Sequence, residues 1–184
     1  ITLALEAMLS SPQFLYRHEL GERNPSNGQL DTDAFELTSY EMAPWLSYTY
    51  TGSTPDAIAS QKAARDQLRT TAQILDETRR LLETQRASVM MGDFVASWLD
   101  TEHLENTPKD AAVWPNFDRL VPHLKQEIRE VFAHVMLDPT EQFESLYDAD
   151  YTFVNGPLAQ HYGISGVSGG AFQRVATTNR GGII

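Results

Sequence analysis

The 184-residue chain has no cysteine. That excludes disulfides, cysteine-ligated zinc, iron–sulfur ligation and covalent c-type haem attachment within the chain, although it does not fix the compartment. No run of about 18 apolar residues occurs, so no segment reads as a membrane-spanning helix. Cations are scarce: 14 Lys and Arg stand against 25 Asp and Glu, for a formal net charge of -11. An acidic surface repels nucleic-acid phosphates and anionic headgroups. Arg79-Arg80 is the one basic pair, and Asp76, Glu77 and Glu83 lie within helical reach of it. Nucleic-acid binding is therefore not expected. Also missing are a Gly-rich phosphate loop, a nucleophile elbow, a His-Glu-x-x-His pair and a calcium loop.

What is present supports a packed core. Hydrophobic residues make up 41% of the chain, including three Trp, eight Phe and seven Tyr. The chain opens on Ile1 to Met8, which reads as the inside of an amphipathic helix. It stops at Arg180 to Ile184 as an apolar stretch begins. The expectation is a piece of a longer polypeptide, in which a missing targeting signal carries no information.

Helical spacing dominates. A first helix breaks at Ser10-Ser11-Pro12, with Ser11 as candidate N-cap of a second helix reaching Leu20. Residues 21–36 read as a loop. Thr38 and Glu41 stand in capping-box spacing and start another helix that contains Pro44. Thr54-Pro55-Asp56 predicts a cap and a new helix over 55–68, followed by one over 70–86. Ala87 to Asp100 is helical in period, and 107–115 is a loop. Phe117 to Leu137 carries the strongest apolar stripe: Leu120, Leu124, Ile128, Val131, Phe132 and Val135. Asp138 to Glu141 predicts a capped helix reaching Tyr147, a turn over 148–152, and a last helix between Asn155 and Gly163. Phe172 to Val175 is a candidate strand. The class is mainly α: an irregular multi-helix globular bundle with a short extended C-terminal tail. A helical domain over 1–137 and a C-terminal segment over 138–184 packed on it are expected.

The densest chemistry lies between Asp148 and Gly163. Asp148 and Asp150 are candidates for a general acid–base pair if the turn holds them on one side. Otherwise Asp148 closes the preceding helix and Asp150 caps a turn. His161 and Tyr162 are catalytic candidates beside them. A structural hydrogen bond for His161 is the competing reading, since no second His sits three or four residues away. Asn155 reads as an N-cap, and Thr152 lies in the same turn. Arg17 suits either an anion site or a buried pair with Asp150. Trp98, Trp45 and Trp114 read as core or rim aromatics. Glu-rich helix faces read as solvated.

Several blocks resemble a known pair of families. Leu9 to Arg17 is similar to an opening motif in which Ser-Pro precedes an aromatic and Arg. Tyr40 to Ala43, Leu46-Ser-Tyr48 and Pro55-Asp56 are similar to the next block. Phe94 to Leu99 is similar to a Phe…Trp-Leu helix, and Asp148 to Gly163 with Arg180-Gly-Gly182 to the start of the second family. Together they resemble the paired domain-of-unknown-function families numbered fifteen ninety-two and fifteen eighty-eight. The pattern is broken in two places: Trp45 replaces an Arg, and Thr49-Tyr-Thr51 replaces an aromatic-Leu-Trp run. The resemblance implies a large planctomycete-type envelope or secreted protein, periplasmic or extracellular, with a c-type cytochrome domain elsewhere in the polypeptide. It supplies no activity.

Three functions follow as expectations. The first is a structural or interaction module contacting other domains of its polypeptide, including a cytochrome c domain, with no cofactor of its own. The second is a hydrolase or oxidoreductase on extracellular polymers using Asp148, Asp150, His161 and Tyr162. The third is carbohydrate binding through exposed aromatics such as Trp45 and Tyr50.

Overall fold

A computed structural model describes residues 2–23, 35–177 and 182–183. The chain forms two compact units, Ile1–Leu81 and Leu82–Ile184. The expected division at 137/138 falls inside the second unit. Helix dominates both units, and among the described residues the strands are short pairs.

In the first unit, α1 (Thr2–Leu9) and α2 (Pro12–Leu15) flank the expected break. The Ser11 hydroxyl does not cap α2; it donates back to the Met8 carbonyl at 2.9 Å. The expected run to Leu20 fails because Tyr16 is already extended. The ends of the expected 21–36 loop pair as β1 (Glu22–Arg23) and β2 (Phe35–Glu36), antiparallel, with Glu22 opposite Glu36. Like charges so placed repel. Arg69 stands against both, 3.1 Å from Glu22 and 3.9 Å from Glu36. The centre of that loop lies outside the described residues.

Helix α3 (Ser39–Thr51) begins on the complete capping box read from the sequence. Glu41 also accepts from the backbone N–H groups of Leu20 and Gly21, at 2.8 and 3.0 Å. Its carboxyl is pulled down to about 2, chiefly by the Thr38 backbone N–H, with the Gly21 and Leu20 bonds and the Thr38 hydroxyl outweighing burial. Pro44 sits inside α3 and removes one helical bond, tolerated in its second turn.

Helix α4 (Ala57–Ala64) is capped by Asp56, not by Thr54. The Asp56 carboxylate accepts from Ala59 N–H at 2.8 Å and takes a two-pronged contact from Arg80 at 2.9 and 3.1 Å. A charged acceptor at the positive helix end outcompetes a hydroxyl. Helix α5 (Thr71–Leu82) follows, shorter than expected. Ala43, Leu46, Ala59, Ala63, Leu68 and Leu81 form this unit's core.

Glu77 lies within that packing, 0% exposed. It is paired with Lys62 at 2.9 Å and Arg80 at 2.5 Å. Burial alone would raise its pKa, but the hydrogen bonds and charges of Arg80 and Lys62 win, and it is lowered. The spacing of Glu77 to Arg79-Arg80 offers a salt bridge, and the Glu77–Arg80 pair forms, although Glu77 is buried.

In the second unit, α6 (Gln85–Trp98) is capped by Thr84 and packs on α7 (Phe117–Leu137), whose bounds match the sequence reading. Gly92 permits this approach: a Cβ there would stand 3.2 Å from Cβ and Cγ of Arg129. Val95, Phe132, Val135 and Leu146 make one core cluster, and Leu120, Val154, Leu158 and Ala159 another.

Residues 138–141 form no helix start. Asp138 accepts from Thr140 N–H at 2.9 Å and Thr140 Oγ1 at 2.7 Å, and only α8 (Ser145–Asp148) forms. The expected turn at 151–152 is instead strand β3 (Tyr151–Val154), antiparallel to β4 (Gln173–Ala176) in the tail. Between them α9 (Gly156–Tyr162) is capped by Asn155 and ended by Gly163, as read. Gly182, at φ +66, is required: a Cβ would sit 2.3 Å from the Leu146 carbonyl, which accepts from Ile183 N–H at 2.8 Å. The rest of the Arg180–Gly182 block lies outside the described residues.

Candidate functional site

The second unit gathers polar side chains around α7. Glu127, on its buried face, accepts from Thr152 Oγ1 and from the Tyr162 hydroxyl, each at 2.6 Å. Helix α7, strand β3 and helix α9 thus meet on one carboxylate, 7% exposed. One turn earlier, His123 Nδ1 lies 2.9 Å from Asn155 Nδ2. The Asn155 Oδ1 accepts from Leu158 N–H at 3.3 Å, so its amide nitrogen is the group facing the ring. Nδ1 then accepts, and the neutral ring carries its proton on Nε2.

These bonds account for two residues singled out in the sequence. Thr152 and Asn155 are buried and structural. Tyr162 is half-buried, with its hydroxyl turned inward to Glu127. His161 is exposed and makes no hydrogen bond among the described residues, so the expected structural bond is absent. Its ring lies 6.4 Å from that of Trp114 and 5.3 Å from that of Tyr162.

Asp148 and Asp150 are not brought to these groups. Both are exposed, and neither side chain has a hydrogen bond or ion pair among the described residues. Asp148 ends α8, as the structural reading held. Asp150 caps nothing with its carboxylate; its backbone carbonyl accepts from Thr177 N–H at 2.7 Å. Arg17, expected to pair with Asp150 or to hold an anion, pairs with Glu19 at 2.5 Å and lies over the Tyr48 ring within the first unit, whereas Asp150 belongs to the second. Trp98 is exposed on α6, stacked on Phe94 and edge-on to Phe132. Tyr50 packs against the first unit's core, which removes it from an exposed sugar platform.

A second polar node lies at the β3–β4 pair. His134 Nε2 is 3.3 Å from Glu141, and the Arg174 guanidinium sits 3.9 Å over the Tyr151 ring. The buried Tyr151 hydroxyl lies beside Glu141 without an aligned hydrogen bond. Burial first, then the Glu141 carboxylate, push its pKa up to about 12. The node fastens the tail strand.

Two clefts of this unit lie elsewhere, lined largely by residues the sequence does not mark as a site. A cleft of about 440 Å³ is lined by Val113, Trp114, Phe117, Leu120 and Leu124, with Lys109, His161 and Tyr162 among its other walls. A neighbouring compartment of about 560 Å³ holds Arg119, His123 and Gln160. The two share Asn116, Leu120 and His161. Among the described residues, no three His, Asp or Glu side chains lie close enough to hold a metal ion. No helix there is long and apolar enough to cross a membrane.

No curated protein and no solved structure matches the chain. One family model does match, over residues 37–164, and it covers most of the chain, including α3 to α9. The chain belongs to that family, PSD4, described as a protein of unknown function (DUF1592).

Proposed function

We propose that the chain is a helical interaction module whose working surface is the cleft around Trp114 and His161. The observation that carries this is the division of labour in the second unit. Its Thr152 and Tyr162 hydroxyls are spent on Glu127, which holds α7, β3 and α9 together. Its concave face presents rings and apolar side chains. Recognition clefts of this size, mostly apolar with a few placed polar groups, are the usual form of a ligand site. An acid–base enzyme built on Asp148 and Asp150 lacks support, because only His161 and Tyr162 of the four candidates line the cleft.

A fragment panel titrated into 15N-labelled protein tests this reading. Hits should move the Trp114 indole and the amides of α9. Hits that gather elsewhere and leave Trp114 unmoved would overturn it.

The net charge of -11 favours a second contact, with a basic partner. In this reading the partner is a c-type cytochrome domain of the same polypeptide, in the periplasm or outside the cell. The family resemblance supports that context. The haem lies outside this chain, which has no cysteine to attach one. Titration with a basic c-type cytochrome should give binding that weakens from low to physiological ionic strength. Binding indifferent to salt, or none, sinks the docking idea.

A further inference from the structure

We propose that the two-compartment cleft takes a small organic anion with an aromatic or branched apolar body, an inference that rests on the cleft being the working surface. Charge is the first argument. In a chain with 25 acidic and 14 basic residues, no Asp or Glu lines either compartment, whereas Lys109 and Arg119 do. Neither cation is spent. Arg119 makes no ion pair among the described residues, and Lys109 makes a ring contact alone, 5.5 Å from the Phe117 centroid. Unpaired cations facing a concave surface select anions.

Shape is the second argument. The apolar compartment is walled by Trp114, Phe117, Leu120 and Leu124, which would strip water from a ring or branched chain and leave it well packed. The adjoining compartment is lined by the side chains of Arg119, Gln160 and His123. With the Asn155 amide on Nδ1, the donor left on the His123 ring is its Nε2–H. A carboxylate or sulfonate there finds donors, while its body lies against His161 and Trp114. The two volumes suit a small molecule held end to end, not an extended polymer.

The test uses 2-naphthoate, with 2-naphthalenemethanol as its neutral analogue and acetate as the anion without a body. Binding is followed at the Trp114 indole by NMR. The anion should bind about tenfold or more tightly than the alcohol, as expected for a charge-assisted contact, and acetate should not bind at millimolar concentration. Exposed Arg119→Gln should erase the preference for naphthoate and leave alcohol binding unchanged. Equal affinity for naphthoate and the alcohol at Trp114 would overturn the anion assignment while leaving the cleft as the working surface. Acetate binding as well as naphthoate would remove the need for the apolar body. No response at Trp114 to any probe would overturn the cleft itself. Tighter binding of a capped Phe-Glu dipeptide than of naphthoate would assign the cleft to a peptide segment instead.

Discussion

The two units each bury a glutamate on the core side of a helix, and they hold it differently. Glu77 in the first unit is gripped by two cations, Lys62 and Arg80. Glu127 in the second is gripped by two hydroxyls, from Thr152 and Tyr162. The first arrangement ties α4 and α5 together and reaches the α4 cap through the shared Arg80–Asp56 contact. The second ties α7, β3 and α9 together and fixes the Tyr162 wall of the cleft. Removing a carboxylate with cationic partners has the larger cost, since the cations are left facing a buried site without their counter-charge. A carboxylate with hydroxyl partners loses less, since neutral donors are cheaper to strand.

The largest expected effect is Glu77→Ala. It should cost about 3 kcal/mol, at the low end for stranding buried charge because Lys62 and Arg80 keep some solvent. Chemical denaturation reads the change as a lower midpoint. Glu127→Ala should cost less, about 2 kcal/mol for two stranded hydroxyls. Glu127→Gln should recover roughly half of that by keeping one acceptor. If Glu127→Ala proves the costlier of the two alanine variants, the contrast drawn from their partners is wrong.

The smallest effect sits at the edge of the first unit. Thr38→Ala removes half of the capping box and should cost about 1 kcal/mol. The pH signature is specific. Glu41 has a folded pKa near 2, below the ordinary 4.5. Its contribution is therefore fully present above pH 4.5 and is lost as the pH falls toward 2. Glu41→Gln should flatten that acid limb in a stability-against-pH curve, whereas Thr38→Ala, which keeps the backbone N–H on the carboxylate, should make it shallower only in part; an unchanged limb in Glu41→Gln would show that this carboxyl does not set it.

Much of the first-order fold is legible in the chain. Local signals that need only neighbours three or four residues away gave the bounds of α7, the capping box of α3, and the Asn155 and Gly163 ends of α9. The short strands were not legible, because β3 forms by pairing with residues about twenty positions downstream. A turn such as 138–141 misled because Asp138 satisfied Thr140 instead of starting a helix.

The site was less legible, and the reason is the same in both units. Glu77 falls between Ile74 and Leu81, and Glu127 between Leu124 and Val131, each completing an apolar stripe at three- and four-residue steps. Reading such acids as members of the stripe would have found both. Trp114, Lys109 and Arg119 carried no comparable signal, since the cleft is assembled by the approach of α9 to the start of α7.

The central proposal is that the cleft, not the acidic turn, meets a ligand. The direct measurement repeats the fragment titration on Trp114→Ala and on an Asp148→Asn, Asp150→Asn double variant. The double variant should keep the wild-type hits and affinities, while Trp114→Ala should lose them. Loss of the hits in the double variant, with Trp114→Ala unaffected, would contradict it.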